Sequence, residues 1–235
     1  IKDSGEQADD AKGKFSGFTS VLSGMGTALK AAAAATAAAV AGAATAIGAL
    51  TTKAIEGYAA QEQLVGGVET LFKTSSDTVV GYANDAYKTA GMSANEYMET
   101  VTSFSASLLA SMNNDTAAAA EKANVAITDM SDNANKMGTD ISLIQNAYNG
   151  FAKQNYTMLD NLKLGYGGTK EEMQRLLDDA SKLSGIKYDI SSYSDVVDAI
   201  HVVQTEIGIT ETTAKEASTT IEGSVSSMSS AWDNW

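Results

Sequence analysis

Not one proline occurs in the 235 residues of this chain, where ordinary usage of about 5% would place roughly a dozen. Proline removes a backbone donor and its ring collides with the preceding helical turn, so it breaks helices wherever it falls inside them. A chain free of it can run helix after helix, and the expected class is all-α. The expected architecture is a long Ala-rich N-terminal helix followed by a set of short amphipathic helices, self-associating as a helical bundle or coiled coil.

The stretch "AAAAATAAAVAGAATAIGAL" (Ala31–Leu50) lies between Lys30 and Lys53 with no charge inside. Alanine has the highest intrinsic helix propensity, so this run is helical almost regardless of context. One helix from about Gly17 to Tyr58 is expected, with Gly24, Gly26, Gly42 and Gly48 as soft points. As a helix, Ala31–Thr52 would be about 33 Å long, close to a hydrocarbon core. Alanine is near neutral for transfer into lipid, however, and only Val40, Ile47 and Leu50 contribute strongly, so insertion would be marginal. Gly42 and Gly48 among the alanines make a smooth surface on which helices can approach closely. Ala31, Val40, Gly42, Ile47, Gly48 and Leu50 are the candidate residues of this membrane or helix-packing segment.

Downstream, caps and stripes alternate. Ser93 with Glu96 fits a capping box, opening a helix whose stripe is Tyr97, Val101, Phe104, Leu108 and Met112. Asn114 or Asp115 caps the next, with Ala123, Ile127, Met130, Ala134 and Met137 on one face and Gly138 as a left-handed stop. Ile141, Ile144, Tyr148 and Phe151 form a third stripe. Thr169 with Glu172 is a second box, ahead of Met173, Leu176, Leu177, Ala180 and Leu183, with Gly185 following. Val196, Val197, Ile200 and Val203 mark a helix ending near Gly208. Thr213, with Glu216 three residues on, caps a last helix whose interface stripe runs through Ile221, Val225, Met228, Trp232 and Trp235. Helices with one apolar face must pack on each other or on neighbouring chains to be stable. "GIKYDISSY" reads as a connector. The resulting division is a polar lead-in (1–14), the Ala/Gly-rich apolar helix (15–60), a helical core module (61–210) and the start of a further helix (211–235). The stripe still running at Trp235 suggests a piece of a longer protein.

The chemistry-bearing residues are few. Cysteine is absent, which removes disulfides and thiolate sites together. The formal charge of −13 opposes a specific nucleic-acid surface, which needs clustered Lys and Arg. "KLGYGGTKEE" (Lys163–Glu172) lacks phosphate-loop spacing and a feeding strand, and reads as a structural turn. "DMSDNANKMG" (Asp129–Gly138) lacks calcium-loop spacing and a closing glutamate. His201, the single histidine, lies at the border of a helix's polar and apolar faces with no second histidine or cysteine to make a metal site. Glu171–Glu172 and Asp178–Asp179 point about 100° apart on a helix and read as solvated faces. Met92, Met98, Met112, Met130, Met137, Met158 and Met173 suit gap filling in a helical core. No catalytic, cofactor or metal site is expected, and the class is not an enzyme.

"QEQLVGGVETLF" (Gln61–Phe72), "YANDAYKTAGMSANEYMETVTSFSASLL" (Tyr82–Leu109) and "DMSDNANKMGTDISLIQNAYNGFAKQNYTMLDNLKLGYGGTKEEMQRLL" (Asp129–Leu177) together resemble the core region of tail tape measure proteins of long-tailed bacteriophages and prophages. The resemblance covers about Glu62–Trp235 and is most specific in "NAYNGFAKQNYTMLDNLKLGYGGT". It implies a structural virion protein of the tail lumen that sets tail length during tube assembly and is ejected ahead of the DNA, helping it cross the host envelope. The partners it implies are further copies of itself, a trimer foremost, the major tail protein, distal tail or baseplate proteins, tail assembly chaperones and the host membrane. No specific nucleic-acid binding is implied. The expected locations are host cytoplasm during assembly, the virion tail, and the host membrane during infection. In that setting the Ala-rich helix would pack on other helices in the assembled or free protein and meet membrane during delivery. The rival reading is a membrane-active helical toxin or secreted effector, with Ala31–Leu50 as its hydrophobic hairpin.

Overall fold

The computed structural model describes residues 61–219 and Ser230. The expected Ala-rich helix, with Ala31, Val40, Gly42, Ile47, Gly48 and Leu50, lies outside the described residues. So does the stripe Ile221, Val225, Met228, Trp232 and Trp235.

Among the described residues every regular element is helical. A helical run, 61–72, passes through a 3-10 turn at Lys73–Ser75 into α1 (Ser76–Thr89). There follow α2 (Ala94–Ser111), α3 (Thr116–Met137), α4 (Ile141–Phe151), a second 3-10 turn (Leu159–Leu162), α5 (Lys170–Ser184), α6 (Tyr193–Glu206) and α7 (Thr212–Thr219).

Local chemistry sets most boundaries. Ser93 Oγ accepts from the Glu96 N–H at 3.3 Å and opens α2. At α3 the cap is Asp115, whose Oδ1 accepts from the N–H groups of Ala117 and Ala118 at 3.1 Å, while Asn114 sits at φ 60° before it. Asp140 Oδ1 accepts from Ser142 N–H and hydroxyl at 2.8 and 2.6 Å, and these bonds hold its carboxyl below the usual range. Thr169 Oγ1 takes the Glu172 N–H at 3.2 Å and Ser192 Oγ the Asp195 N–H at 3.4 Å. Each satisfies a donor that the first helical turn leaves without an intrahelical partner. Gly138 and Gly185 close α3 and α5 at φ 61° and 74°, where a Cβ would be strained.

The stripes meet in one hydrophobic core that extends from Val68 to Val203. Tyr97, Val101, Phe104 and Leu108 are buried, with Met112 only partly so. Ile144, Tyr148 and Phe151 are buried, and so are Met173, Leu176, Leu177 and Ala180. Leu183 departs from expectation at 49% exposure, because it sits in the last turn of α5, where the chain swings away at Gly185. Of the methionines, Met92, Met98, Met130 and Met173 fill the core, whereas Met158 is exposed. "GIKYDISSY" is a connector through Ser192, as expected, while its last residue, Tyr193, opens α6.

The helix at the centre is α3, which packs against α1, α2, α4, α6 and α7 and both 3-10 turns. Its first half is lined by the buried Ala119, Ala120, Ala123 and Ala126, small side chains that let neighbouring backbones come close. Its second half is unusual. Five consecutive residues, Asp129, Met130, Ser131, Asp132 and Asn133, are all buried. At about 100° per residue, five positions go fully round a helix, so α3 is enclosed there on every side.

Candidate functional site

Four of those five enclosed residues are polar, and each is bonded to a different part of the fold. Burying polar groups costs free energy unless partners are supplied, so these contacts fix which neighbour lies on which side. Both Asp129 carboxylate oxygens face His201 Nδ1 on α6, at 3.0 and 2.9 Å. The Ser131 hydroxyl donates to Ala90 O at 2.6 Å, in the turn after α1. Asn133 Nδ2 donates to Leu162 O at 3.0 Å, at the end of the second 3-10 turn. Asp132 reaches the start of α7: its Oδ2 accepts from Glu211 N–H at 2.6 Å and its Oδ1 from Thr213 N–H at 2.8 Å.

The last contact corrects the expected cap of the final helix. Thr213 lies inside α7, which begins at Thr212. The capping carboxylate comes from Asp132, some eighty residues earlier, because a charged acceptor with two free oxygens satisfies two backbone donors at once. Such a long-range cap leaves no trace in local sequence.

Around the hub lies a second set of buried polar groups. Gln204 Nε2 on α6 donates to the Tyr148 hydroxyl at 3.4 Å, and burial pushes that phenol well above its ordinary range, with the Asp129 carboxylate adding to the rise. Tyr193 is pushed up by burial too. Asn133 Oδ1, Gln204 Oε1 and the Tyr193 hydroxyl take no hydrogen bond from the described residues. A buried polar atom left so costs about 1–3 kcal/mol. The hub therefore specifies which elements meet more than it adds net stability. At its outer edge Lys122 of α3 is paired with Asp198 of α6.

The second feature is the connector from α4 to α5, the heart of "NAYNGFAKQNYTMLDNLKLGYGGT". Tyr148 and Phe151 pack at 5.7 Å between ring centroids, and Tyr156 stacks on Phe151 at 6.1 Å. The Tyr156 hydroxyl donates to Ile190 O at 2.9 Å, tying the connector to the one before α6. Leu159 and Leu162 plug the core. The Asn155 side chain accepts from Thr157 N–H and hydroxyl at 3.1 and 2.8 Å. Gly168 lies against Thr157 so tightly that an added Cβ would meet its carbonyl oxygen at 2.2 Å. Glu172, besides its place in the capping box, accepts from Gly167 N–H at 3.0 Å and holds Arg175, whose guanidinium stacks on Tyr166 at 4.3 Å. The glycine cluster is thus a structural turn, and Glu172, which the pattern places on a solvated face, holds it.

Among the described residues no group of three or more His, Cys, Asp or Glu is placed to hold a metal ion, and no helix is long and apolar enough to cross a membrane. His201 has a buried carboxylate, Asp129, as partner. Sequence pattern gives no sign of the hub, because the partners of Asp129, Ser131, Asp132 and Asn133 lie tens of residues away. Comparison with known proteins finds no matching family model, no matching curated protein and no matching solved structure.

Proposed function

We propose that this chain is part of a tail tape measure protein: a structural protein of the phage tail lumen that helps set tube length and leaves ahead of the genome. The observation that carries this reading is the resemblance over Glu62–Trp235, at its most specific in the α4–α5 connector. In the structure that block is a packing element. Its aromatic pair, buried leucines and close-packed Gly168 are used in holding a helical module together. On this reading the protein acts by assembly, not by catalysis, with copies of itself, the tail tube protein, distal tail proteins and assembly chaperones as partners.

The fold adds one feature to the reading. A straight helix over 61–219 would extend about 240 Å, whereas a folded domain of that size has a radius of gyration of about 15 Å. While folded, this segment is a compact station along the tape and contributes little to its length. The ruler function falls on other parts of the chain. The test combines proteomics of purified particles with in-frame deletions inside 62–210, read as tail length by electron microscopy. The protein should be found in tails, and deletions should either abort assembly or shorten tails by less than ~1.5 Å per residue. Absence from tails, with protein free in particle-free supernatant, would overturn the assignment in favour of a secreted effector. Proportional shortening would overturn the compact-station role alone. A peptide of residues 15–58 that failed to bind liposomes would remove the membrane contact during delivery that the resemblance implies.

A further inference from the structure

We propose that the Asp129–His201 pair is a proton-operated clasp between α3 and α6, closed most firmly when the imidazole is protonated and loosened when that proton leaves. The geometry is asymmetric in a way that suits this. Asp129 is 2% exposed, whereas the His201 side chain is 42% exposed, so the carboxylate is sealed in while the imidazole exchanges protons with water. Nδ1 lies 2.9 and 3.0 Å from the two carboxylate oxygens, facing the whole anionic group. With the imidazole charged, this is an ion pair. With it neutral, Nδ1–H can still donate, but a buried carboxylate then has no cation against it, a costly arrangement.

The surrounding groups are Lys122 and Asp132 on α3, Asp198 on α6, and Tyr148 on α4, with Tyr193 near Tyr148. Lys122 is engaged by Asp198, and Asp132 by the backbone of α7, so neither replaces His201 as the direct partner of Asp129. The bond to Asp129 raises the proton affinity of His201 above that of a free imidazole, with burial opposing. Burial raises Asp129 as well, with His201 opposing.

The two shifts bound a pH window. A histidine raised on folding contributes stability that is complete below about pH 6.5, the free imidazole value, and is lost as pH rises through its folded value. Asp129, raised by burial, must itself stay ionised for the ion pair to exist, so its protonation at lower pH opens the clasp from the acid side. The clasp is therefore firm in mild acid and slackens on the alkaline side.

One histidine in the chain makes the test direct. The imidazole signals of the full chain are followed by NMR against pH, with urea unfolding measured at matched pH values. The clasp requires a titration midpoint above about 6.5, an unfolding midpoint that falls from pH 6 to pH 9, and a smaller fall in His201→Gln. In Asp129→Asn the imidazole midpoint should drop. A wild-type midpoint at or below 6.5 overturns the proposal, and this needs no variant to fold. An Asp129→Asn midpoint equal to wild type, or an undiminished pH dependence in His201→Gln, overturns it equally.

Discussion

Removing the Asp132 carboxylate should release α7 before the rest of the module unfolds. The described residues of α7 include no fully buried side chain. Ile209, 1% exposed, is the last large apolar anchor before it. Beyond that point the described hydrogen bonds to α3 are the two to the Asp132 carboxylate, one from the Thr212 hydroxyl to Asp132 O at 3.4 Å, a Ser131–Thr213 contact at 3.4 Å and the Asn135–Glu216 bond. Hydrogen bonds to a charged acceptor contribute about 1.5–3 kcal/mol each, and losing a helix cap costs about 0.5–2. The freed amides recover water once α7 lifts, so the net loss in Asp132→Ala should be about 2–4 kcal/mol, below the sum. At 1.4 kcal/mol per factor of ten, amide protection over 211–219 should fall by roughly 30- to 1000-fold in hydrogen exchange. The α5–α6 pair should keep most of its protection. Asp132→Asn should be nearly as harmful, because an amide offers one acceptor and turns its NH2 toward the other backbone donor. Equal loss of protection in α7 and in α5–α6, or unchanged exchange over 211–219, would show that the carboxylate is not what docks this helix.

Gly168→Ala should destabilise the module by about 1–3 kcal/mol, since the Cβ meets a backbone oxygen at 2.2 Å. Gly66→Ala, where a Cβ meets nothing within 4 Å, should be neutral or stabilise by up to about 1 kcal/mol; thermal melts of the two variants check the contrast. Tyr148→Phe takes the acceptor from Gln204 Nε2 inside a fully buried site and should cost about 1–3 kcal/mol in urea unfolding. Glu172→Gln weakens the hold on Arg175 at an exposed site and should change stability by less than about 1 kcal/mol.

Much of this fold is legible in the sequence itself. Ser93, Asp115 and Thr169 cap helices, Gly138 and Gly185 end them, and the stripes through Phe104, Tyr148 and Leu176 face inward. These are short-range matters. A cap acts on backbone two or three residues away, and a stripe repeats every three or four, so the residues that decide are neighbours in sequence. The absence of proline left such signals undisturbed, and the helical class followed.

The hub was not legible, for the opposite reason. Periodicity detects one buried face, and α3 at Asp129–Asn133 is buried on all of them. Asp, Ser and Asn in a row look like a solvated turn until their partners are known. Those partners, His201, Ala90, Leu162 and the amides of α7, lie tens of residues away. Sequence alone determined that residues 61–219 form a string of capped amphipathic helices. Only tertiary structure decided that one pentapeptide fastens four parts of the string together, because a buried polar group is stabilised by whatever the fold brings to it.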